Sequence, residues 1–215
     1  MKTSYRLSKL TKSDKPAFVS LMSRAFSRDP FFLHVFGDSE LDHTARKSIT
    51  AFLSFLSFLF DKSFLFHEEV WGIFDEDSLL GTYVVEKPQT NKHSNIKGGF
   101  LLIGRLIPLV FQLSGKTLIL LNSYMRITRS AAPPWKHHYL IMIGVKPEAQ
   151  GKGVGKTLMQ HLFQTIEADH ESQGVALDTE KEENVGLYQK LGFTLQEQTK
   201  IDDVPVYCMV YQKNR

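Results

Sequence analysis

The chain has a single cysteine, Cys208, among its 215 residues, so it cannot form an internal disulfide bond. The chain also has little excess charge of either sign. Its 26 lysines and arginines nearly balance its 23 aspartates and glutamates and leave a net charge of +3. This balance does not demand a nucleic-acid partner. A lone thiol fits a reducing compartment, and we therefore expect a cytoplasmic protein that binds no nucleic acid.

Long uninterrupted hydrophobic runs are missing as well. The start of the chain, "MKTSYRLSKLTKSDKPAF", has no apolar h-region, so we expect no signal peptide. Residues 49–60 are too few to span a bilayer, and residues 100–121 are interrupted by Arg105, Pro108 and Lys116. We interpret both segments as buried helices and expect no membrane partner.

The pattern of the chain predicts a single α/β (α+β) domain over residues 1–215. Residues 1–136 favour a short strand, several helices, a hairpin around residues 75–77 and a helical insertion at about 98–130 that breaks near Ser114. Residues 137–215 favour the order β-loop-α-β-α-β, with "HHYLIMIGV" and "GVALDT" as buried strands and "VPVYCMVYQK" as the last strand.

A glycine-rich loop follows the first of these buried strands, in "GVKPEAQGKGVGKTLMQHL". A strand, a loop and then a helix present unpaired backbone N–H groups at the helix start, where the helix dipole also attracts anions. Glycines let the backbone approach a phosphate closely, and lysines add positive charge. The loop therefore predicts a phosphate site formed by Gly151, Lys152, Gly153, Val154, Gly155 and Lys156.

A nucleotide-binding P-loop is one interpretation of this site. Its G-x-x-x-x-G-K-[ST] pattern fails at Gln150, which occupies the place of the first glycine. The remaining chain is also too short for the parallel sheet that follows a P-loop. One feature favours the P-loop, because Asp178 ends an apolar strand as a magnesium-binding Asp would.

The residues resemble a different family. Gln150-x-x-Gly153-x-Gly155, after an apolar strand that ends in Val145, resembles the Q/R-x-x-G-x-G/A loop of the GCN5-related N-acetyltransferases, the GNAT superfamily. The later N-x-x-x-Y-x-x-x-G-F pattern of that family has its counterpart at Asn184, Tyr188, Gly192 and Phe193. The resemblance covers residues 137–212. "HHYLIMIGV" and "DTEKEENVGLY" are most similar to the puromycin-acetyltransferase-like branch, which acts on small molecules.

The resemblance implies a GNAT fold, with a mixed, twisted central sheet flanked by helices. It also implies acetyl-CoA as co-substrate without a metal, an acetyl-CoA-binding half at 137–215 and an acceptor-side half at 1–136. The N–H groups of residues 151–156, with Gln150, would hold the pyrophosphate. The cofactor-binding residues implied in this way are Ile143, Gly144, Val145, Gln150, Gly151, Lys152, Gly153, Val154, Gly155, Lys156, Asn184 and Tyr188.

Direct acetyl transfer assigns roles to a few groups. Tyr188 would protonate the departing thiolate. A backbone N–H near residues 143–145 would stabilise the oxyanion, on a strand that splays from its neighbour. Gly144 in mid-strand fits a bulge or a close ligand approach. Asn184 either contacts the pantetheine arm or caps a helix.

The general base stays open at this point. Strand alternation places Tyr139, Ile141, Ile143 and Val145 on one face, and none of them is a carboxylate. The alternatives are His137, His138, Asp178, Asp29 or a chain of waters.

The acceptor is predicted to be the amine of a small, partly apolar molecule. Phenylalanines 26, 31, 32 and 36 form either core or an apolar acceptor site, with Asp29 and Asp38 nearby. The alternatives are a protein or peptide N-acetyltransferase of the same fold and a non-catalytic CoA-binding module. A monomer or a homodimer is expected, with the 98–130 insertion as a possible dimer surface.

Overall fold

The strands of the computed structural model form one seven-stranded mixed sheet, within the described residues 5–37, 42–66, 68–88 and 113–213. The strands are β1 (Arg6–Lys9), β2 (Glu69–Asp75), β3 (Ser78–Glu86), β4 (His138–Val145), β5 (Gly174–Thr179), β6 (Thr194–Ile201) and β7 (Val204–Gln212). The helices are α1 (Lys15–Ala25), α2 (Pro30–Phe36), α3 (Asp42–Leu65), α4 (Gly115–Ser130), α5 (Val154–Ala168) and α6 (Glu182–Lys190). The predicted mixed sheet flanked by helices is confirmed.

The sheet order is β1-β2-β3-β4-β5-β7-β6, and only β4 and β5 run parallel. The other neighbouring strands pair antiparallel. A parallel pair needs a long crossover, and α5 supplies it here. The crossover places the glycine-rich loop directly after the C-terminal end of β4.

Helices cover both faces of the sheet. On one face, α5 buries Val154, Leu158, Leu162 and Ile166 against the strands, in a core that also contains Tyr188 of α6. On the other face, α1 and α3 contribute Phe18, Leu56 and Phe60 to a second core.

Helix α3 is longer than the apolar segment at 49–60 that the sequence singled out. It has 24 residues, and its window Ser48–Leu65 has a mean hydropathy of 1.3 with 17% of the window buried. By length and composition alone, this helix could cross a bilayer. The expectation that the region is too short to do so is therefore wrong. In the structure the helix packs on α1 and β2.

The predicted break near Ser114 is confirmed as the start of α4. The Oγ atom of Ser114 accepts a hydrogen bond from the N–H of Thr117 at 3.0 Å and caps the helix. Residues 98–112 of the predicted insertion, and Asp38, lie outside the described residues.

Strand β6 was not predicted from the sequence. This strand pairs with β7 through a turn at Asp202, and nearly all of its side chains are exposed. An edge strand of this kind carries no apolar alternation, which is the signal that strand prediction uses.

Candidate active site

Strands β4 and β5 separate part-way along their length. They pair at His138 with Val175, Tyr139 with Ala176, and Leu140 with Leu177, and the ladder ends there. β4 continues to Val145 with β3 as its partner, whereas β5 continues to Thr179 with β7 as its partner. A gap therefore opens in the sheet after Leu140.

A β-bulge lies in β4 at the start of this gap. Val84 of β3 pairs with Met142 and Val85 pairs with Leu140, so Ile141 is the extra residue. Beyond the bulge, the side chains of β4 point to the opposite faces of the sheet from those that simple alternation predicts. Ile143 therefore lies with Leu140 in the core under α5. The predicted common face of Tyr139, Ile141, Ile143 and Val145 is therefore wrong.

Gly144 is explained by packing. A Cβ atom there would lie 2.6 Å from Sδ of Met22 and 3.2 Å from Cβ of Ala25 in helix α1. The bulge is at Ile141, and α1 occupies the space beside Gly144. The prediction that Gly144 marks a bulge is wrong, and the alternative of a close ligand approach at Gly144 stays a prediction.

The end of β4 turns peptide groups towards the gap. The N–H of Lys146 donates a hydrogen bond to the carbonyl of Leu80 at 2.8 Å, so the backbone N–H of Lys146 points towards β3. Backbone groups alternate along an antiparallel ladder, which directs those of Ile143 and Val145 away from β3. Nε2 of Gln150 donates to the carbonyl of Val145 at 3.3 Å and ties the loop to this strand end.

The glycine-rich loop presents free donors. The N–H groups of residues 151–156 have no acceptor within the part of the chain that the structure describes, and the first helical bond runs from Thr157 to Gly153 at 2.9 Å. Gly151 and Gly153 have φ of 73° and 84°, and nothing lies within 4 Å of a Cβ placed on either. Lys152 and Lys156 are exposed beside them. The free N–H groups, the dipole of helix α5 and the two lysine charges together suit a phosphate.

A buried group of carboxyls lies at the other edge of the gap. Asp178 accepts hydrogen bonds from the hydroxyls of Tyr139 and Tyr124, and Tyr124 also contacts Glu180. Asp29 caps α2, where its Oδ1 accepts from the N–H groups of Phe31 at 3.1 Å and Phe32 at 3.2 Å.

Burial raises the pKa of all three carboxyls in this group. Burial, followed by the charges of Asp29 and Asp178, raises the pKa of Glu180 to about 8. Burial also raises the pKa of Asp178, although the hydroxyls of Tyr124 and Tyr139 oppose it. Burial raises the pKa of Asp29 against its two N–H bonds and the charge of Lys181. A carboxyl with a pKa near neutrality is suited to proton transfer.

Sequence and fold comparisons identify the arrangement. Residues 119–195 match the family model of an acetyltransferase (GNAT) domain. A solved structure described as histone acetyltransferase HPA2 and related acetyltransferase, from Corynebacterium glutamicum, has a TM-score of 0.68. It is 20% identical, and the match covers 99% of this chain and 98% of that one. Residues 119–195 therefore match a GNAT domain, and the chain has the fold of the GNAT acetyltransferases.

Other GNAT structures share the fold at lower identity. The PaiA N-acetyltransferase from Thermoplasma acidophilum, solved with coenzyme A, is 14% identical with a TM-score of 0.56, covering 98% of this chain and 99% of that one. The ribosomal-protein-S18-alanine N-acetyltransferase from Escherichia coli is 13% identical with a TM-score of 0.53, covering 99% and 96%.

A curated relative has a different description. A probable serine/threonine-protein kinase of Dictyostelium discoideum is 24% identical over 220 residues. The match covers 94% of this chain but only 22% of the relative, so the chain spans about a fifth of that protein.

The two residues that matched the second GNAT motif lie near the gap. Tyr188 is buried beside Phe193, and burial together with the charges of Asp178 and Glu180 raises its pKa. Asn184 is the third residue of α6, and its Nδ2 donates to Oγ1 of Thr179 at 2.9 Å. Lys181 is the N-cap of α6, so the helix-cap alternative for Asn184 is wrong.

The structure separates the candidates for the general base. Nδ1 of His138 lies 2.9 Å from Oγ of Ser172, and Nε2 lies 3.5 Å from Oδ2 of Asp169. Nδ1 of His137 lies 2.7 Å from the carbonyl of Trp135. Within the described residues, neither imidazole hydrogen-bonds to Asp29, Asp178 or Glu180 at the gap. Asp178 and Asp29 are part of that group.

Two functional candidates escaped the sequence analysis. Glu180 stands in the charged run "DTEKEEN", where nothing distinguishes it from its neighbours. Tyr124 is 56 residues away in sequence and meets Glu180 only in the fold. No local signal identifies such a pair.

The phenylalanine cluster is mainly core. Phe32 lies between the rings of Phe26, Phe36 and Phe52 at centroid distances of 5.0–6.1 Å. Phe31 stacks on Tyr124 at 4.0 Å and so joins the cluster to the carboxyl group.

Cys208 offers no nucleophile to this site. It is buried in β7 opposite Asp178, and burial raises the pKa of its thiol to about 12. A thiol in that state is not the reactive thiolate. Among the described residues, no group of three or more His, Cys, Asp or Glu side chains is placed to hold a metal ion.

Proposed function

We propose that the chain is an N-acetyltransferase that moves an acetyl group from acetyl-CoA directly to the amine of a small, partly apolar molecule. The observation that carries the proposal is the gap after Leu140, which has free loop donors at one end of β4 and buried carboxyls at the end of β5. A sheet interior rarely leaves backbone groups unpaired unless a ligand completes them.

The residues present fit acetyl-CoA. The six N–H groups of residues 151–156, with Lys152 and Lys156, suit a pyrophosphate. The peptide groups of Ile143 and Val145 suit the amides of a pantetheine arm. When bound, acetyl-CoA would supply an activated thioester as the acetyl donor.

The chain itself would supply the proton transfers. Glu180, with a pKa of about 8, would take the proton of the attacking amine when it is in its ionised form. A backbone N–H at residues 143–145 would stabilise the oxyanion. Tyr188, which burial keeps protonated, would return a proton to the leaving thiolate.

The surroundings of the carboxyls support a small cationic acceptor. Asp178, as a carboxylate that accepts two hydrogen bonds, attracts an ammonium group, and the ring of Phe31 beside Tyr124 supplies an apolar neighbour. We further propose a cytoplasmic protein, as a monomer or homodimer, without a metal, nucleic-acid or membrane partner.

The first test is thermal unfolding of the protein alone, with acetyl-CoA and with ATP–Mg²⁺. A ligand at roughly 100 times its Kd stabilises the fold by about 2.7 kcal/mol. A rise in Tm with acetyl-CoA supports the proposal, whereas a rise with ATP–Mg²⁺ alone contradicts it and favours the P-loop interpretation.

The second test is an acceptor panel of alkyl and aryl amines beside short peptides with free N-termini and lysines. Acetylated small amines, detected by mass spectrometry, support the proposed acceptor class. Acetylation of peptides alone would favour the protein N-acetyltransferase alternative. Acetyl-CoA binding without any product would favour a non-catalytic CoA-binding module.

A further inference from the structure

Tyr124 connects two carboxyl groups at the gap through one hydroxyl. Its oxygen is in hydrogen-bond contact with Oδ2 of Asp178 and Oε1 of Glu180. The hydroxyl of Tyr139 donates to the other oxygen of Asp178. Glu180 is 9% exposed, and burial in this environment makes an unpaired charge costly.

The number of hydrogens limits how these contacts can be made. A phenol has one hydrogen, so Tyr124 can donate fully to only one of two ionised carboxylates. The second contact becomes a full hydrogen bond only when one carboxyl is protonated. Asp178 already accepts from Tyr139, which favours its ionised form. The proton therefore belongs on Glu180.

We propose that Tyr124 is a positioning residue, which couples Asp178 to Glu180 so that the pair holds one proton and Glu180 carries it. This inference deepens and rests on the proposed function, because Glu180 can act as the base only after it has released this proton. It also gives α4 a role, since the helix brings Tyr124 to the end of β5.

The charges around the pair agree with one retained proton. Asp29 before α2 and Asp178 raise the pKa of Glu180, after burial as the main cause. Burial raises the pKa of Asp178, opposed by the hydroxyls of Tyr124 and Tyr139 and then by Arg129 of α4. Burial also raises the pKa of Asp29, opposed by its N–H bonds and by Lys181. The other titratable neighbours are Tyr139 of β4, Tyr188 of α6 and Cys208 of β7, whose pKa values are all raised, in each case chiefly by burial.

The test is a ¹³C-NMR titration of the side-chain carboxyls of Asp and Glu in the whole chain. Resonances are assigned with Asp178→Asn and Glu180→Gln. In the wild type, we expect Glu180 to titrate near pH 8 while Asp178 stays a carboxylate through that step. In Tyr124→Phe, Asp178 loses one of its two hydrogen-bond donors. We therefore expect the resonances of Asp178 and Glu180 to titrate together near pH 8, because the two carboxyls share the proton.

Tyr211→Phe is the matched control, because it removes a tyrosine hydroxyl that bonds to Glu167 on the other face of the sheet. It should leave both titrations unchanged. Titration of Glu180 in the ordinary glutamate range, a proton found on Asp178 in the wild type, or unchanged titrations in Tyr124→Phe would overturn the inference.

The titration needs no acetyl-CoA, so it separates this inference from the proposed function. The expected titrations in a protein that acetylates no amine would leave the coupling standing and reject the activity. If the protein acetylates an amine while both carboxyls are ionised at neutral pH, the activity stands and the coupling is rejected.

Discussion

Leu140 and Leu177 are the last pair of residues that joins β4 to β5. The bulge at Ile141 follows at once in β4, and Asp178 follows at once in β5. The point of separation therefore brings together an irregular backbone, peptide groups without a strand partner and a half-buried carboxyl. A continuous ladder would have paired the backbone groups, so the separation creates the site.

Gly144→Ala should destabilise the protein. The added methyl would meet Sδ of Met22 at 2.6 Å, and overpacking of this kind costs about 1–3 kcal/mol. We expect Tm to fall by several degrees, because about 2–4 °C is lost per kcal/mol in a domain of this size. Differential scanning calorimetry without ligand measures the change.

Gly155→Ala is the control for that variant. A methyl there would meet only Cγ2 of Val145 at 3.6 Å, which is an ordinary contact. Tm should stay the same or rise slightly. Equal Tm values for the two variants would show that helix α1 does not require the glycine at 144.

Gly153→Ala should distort the loop that precedes α5. Gly153 has φ of 84°, where an L-residue costs about 1–2 kcal/mol. We expect a lower Tm and a smaller stabilisation by acetyl-CoA, because the N–H groups change direction. Gly153→Asn should recover part of both, since asparagine tolerates this conformation.

Gly186→Ala is the matched control within α6. A Cβ there also meets nothing within 4 Å, but its φ is not in the left-handed region. The change should stabilise the helix by about 0.5–1 kcal/mol and leave acetyl-CoA binding unchanged. A normal acetyl-CoA response in Gly153→Ala would argue against the loop as the phosphate site.

The sequence predicts those parts of the fold whose patterns are local. The run "GVALDT" is continuously apolar and bounded by turns, and it forms β5 at the predicted residues. The strand–loop–helix around Gly153 and the turn at Glu76 follow from equally local signals. β6 has no such pattern because only its pairing with β7 defines it.

The site is less predictable because it depends on distant contacts. Alternation along "LIMIG" gives no sign of a bulge, since Ile141, Met142 and Ile143 are all apolar. The bulge nevertheless decides which side chains face α1. Glu180 gains its raised pKa from burial and from Asp29, which is far away in sequence. Both features exist only after the sheet and helices have packed.

Tyr188→Phe tests the role of the phenol as an acid. Burial raises the pKa of Tyr188, so the phenol stays protonated and can donate a hydrogen bond to the leaving thiolate as the proton is transferred. Loss of the proton donor should lower kcat by roughly 100-fold. The stabilisation by acetyl-CoA should remain, because the ring still packs against Phe193.

Tyr211→Phe serves as the control for kcat too, since this tyrosine contacts Phe163 and Phe193 rather than the carboxyls. Its kcat should equal that of the wild type. A Tyr188→Phe enzyme with full kcat would remove Tyr188 from the mechanism and direct attention to bound water.

Glu180→Gln should change how stability depends on pH. The folded-state pKa of Glu180 is about 8, against an ordinary value of 4.5. Between these values the unfolded chain has released the proton and the folded chain retains it. The free energy of unfolding therefore falls as pH rises through this window and levels off above about pH 8. Glutamine cannot ionise, so the variant should lose this part of the slope.

The difference in the free energy of unfolding between Glu180→Gln and the wild type should therefore be more favourable to the variant at pH 8.5 than at pH 5. Urea unfolding at the two pH values measures this difference. Asp29 and Asp178 also have raised pKa values, so part of the decline with pH will persist. Glu197→Gln is the control, because Glu197 is exposed on β6 and should leave the slope unchanged. Parallel curves for Glu180→Gln and the wild type would mean that Glu180 ionises as an ordinary glutamate. In that case it would not be the base matched to a neutral-pH reaction, and Asp178 or Asp29 would take its place in the mechanism.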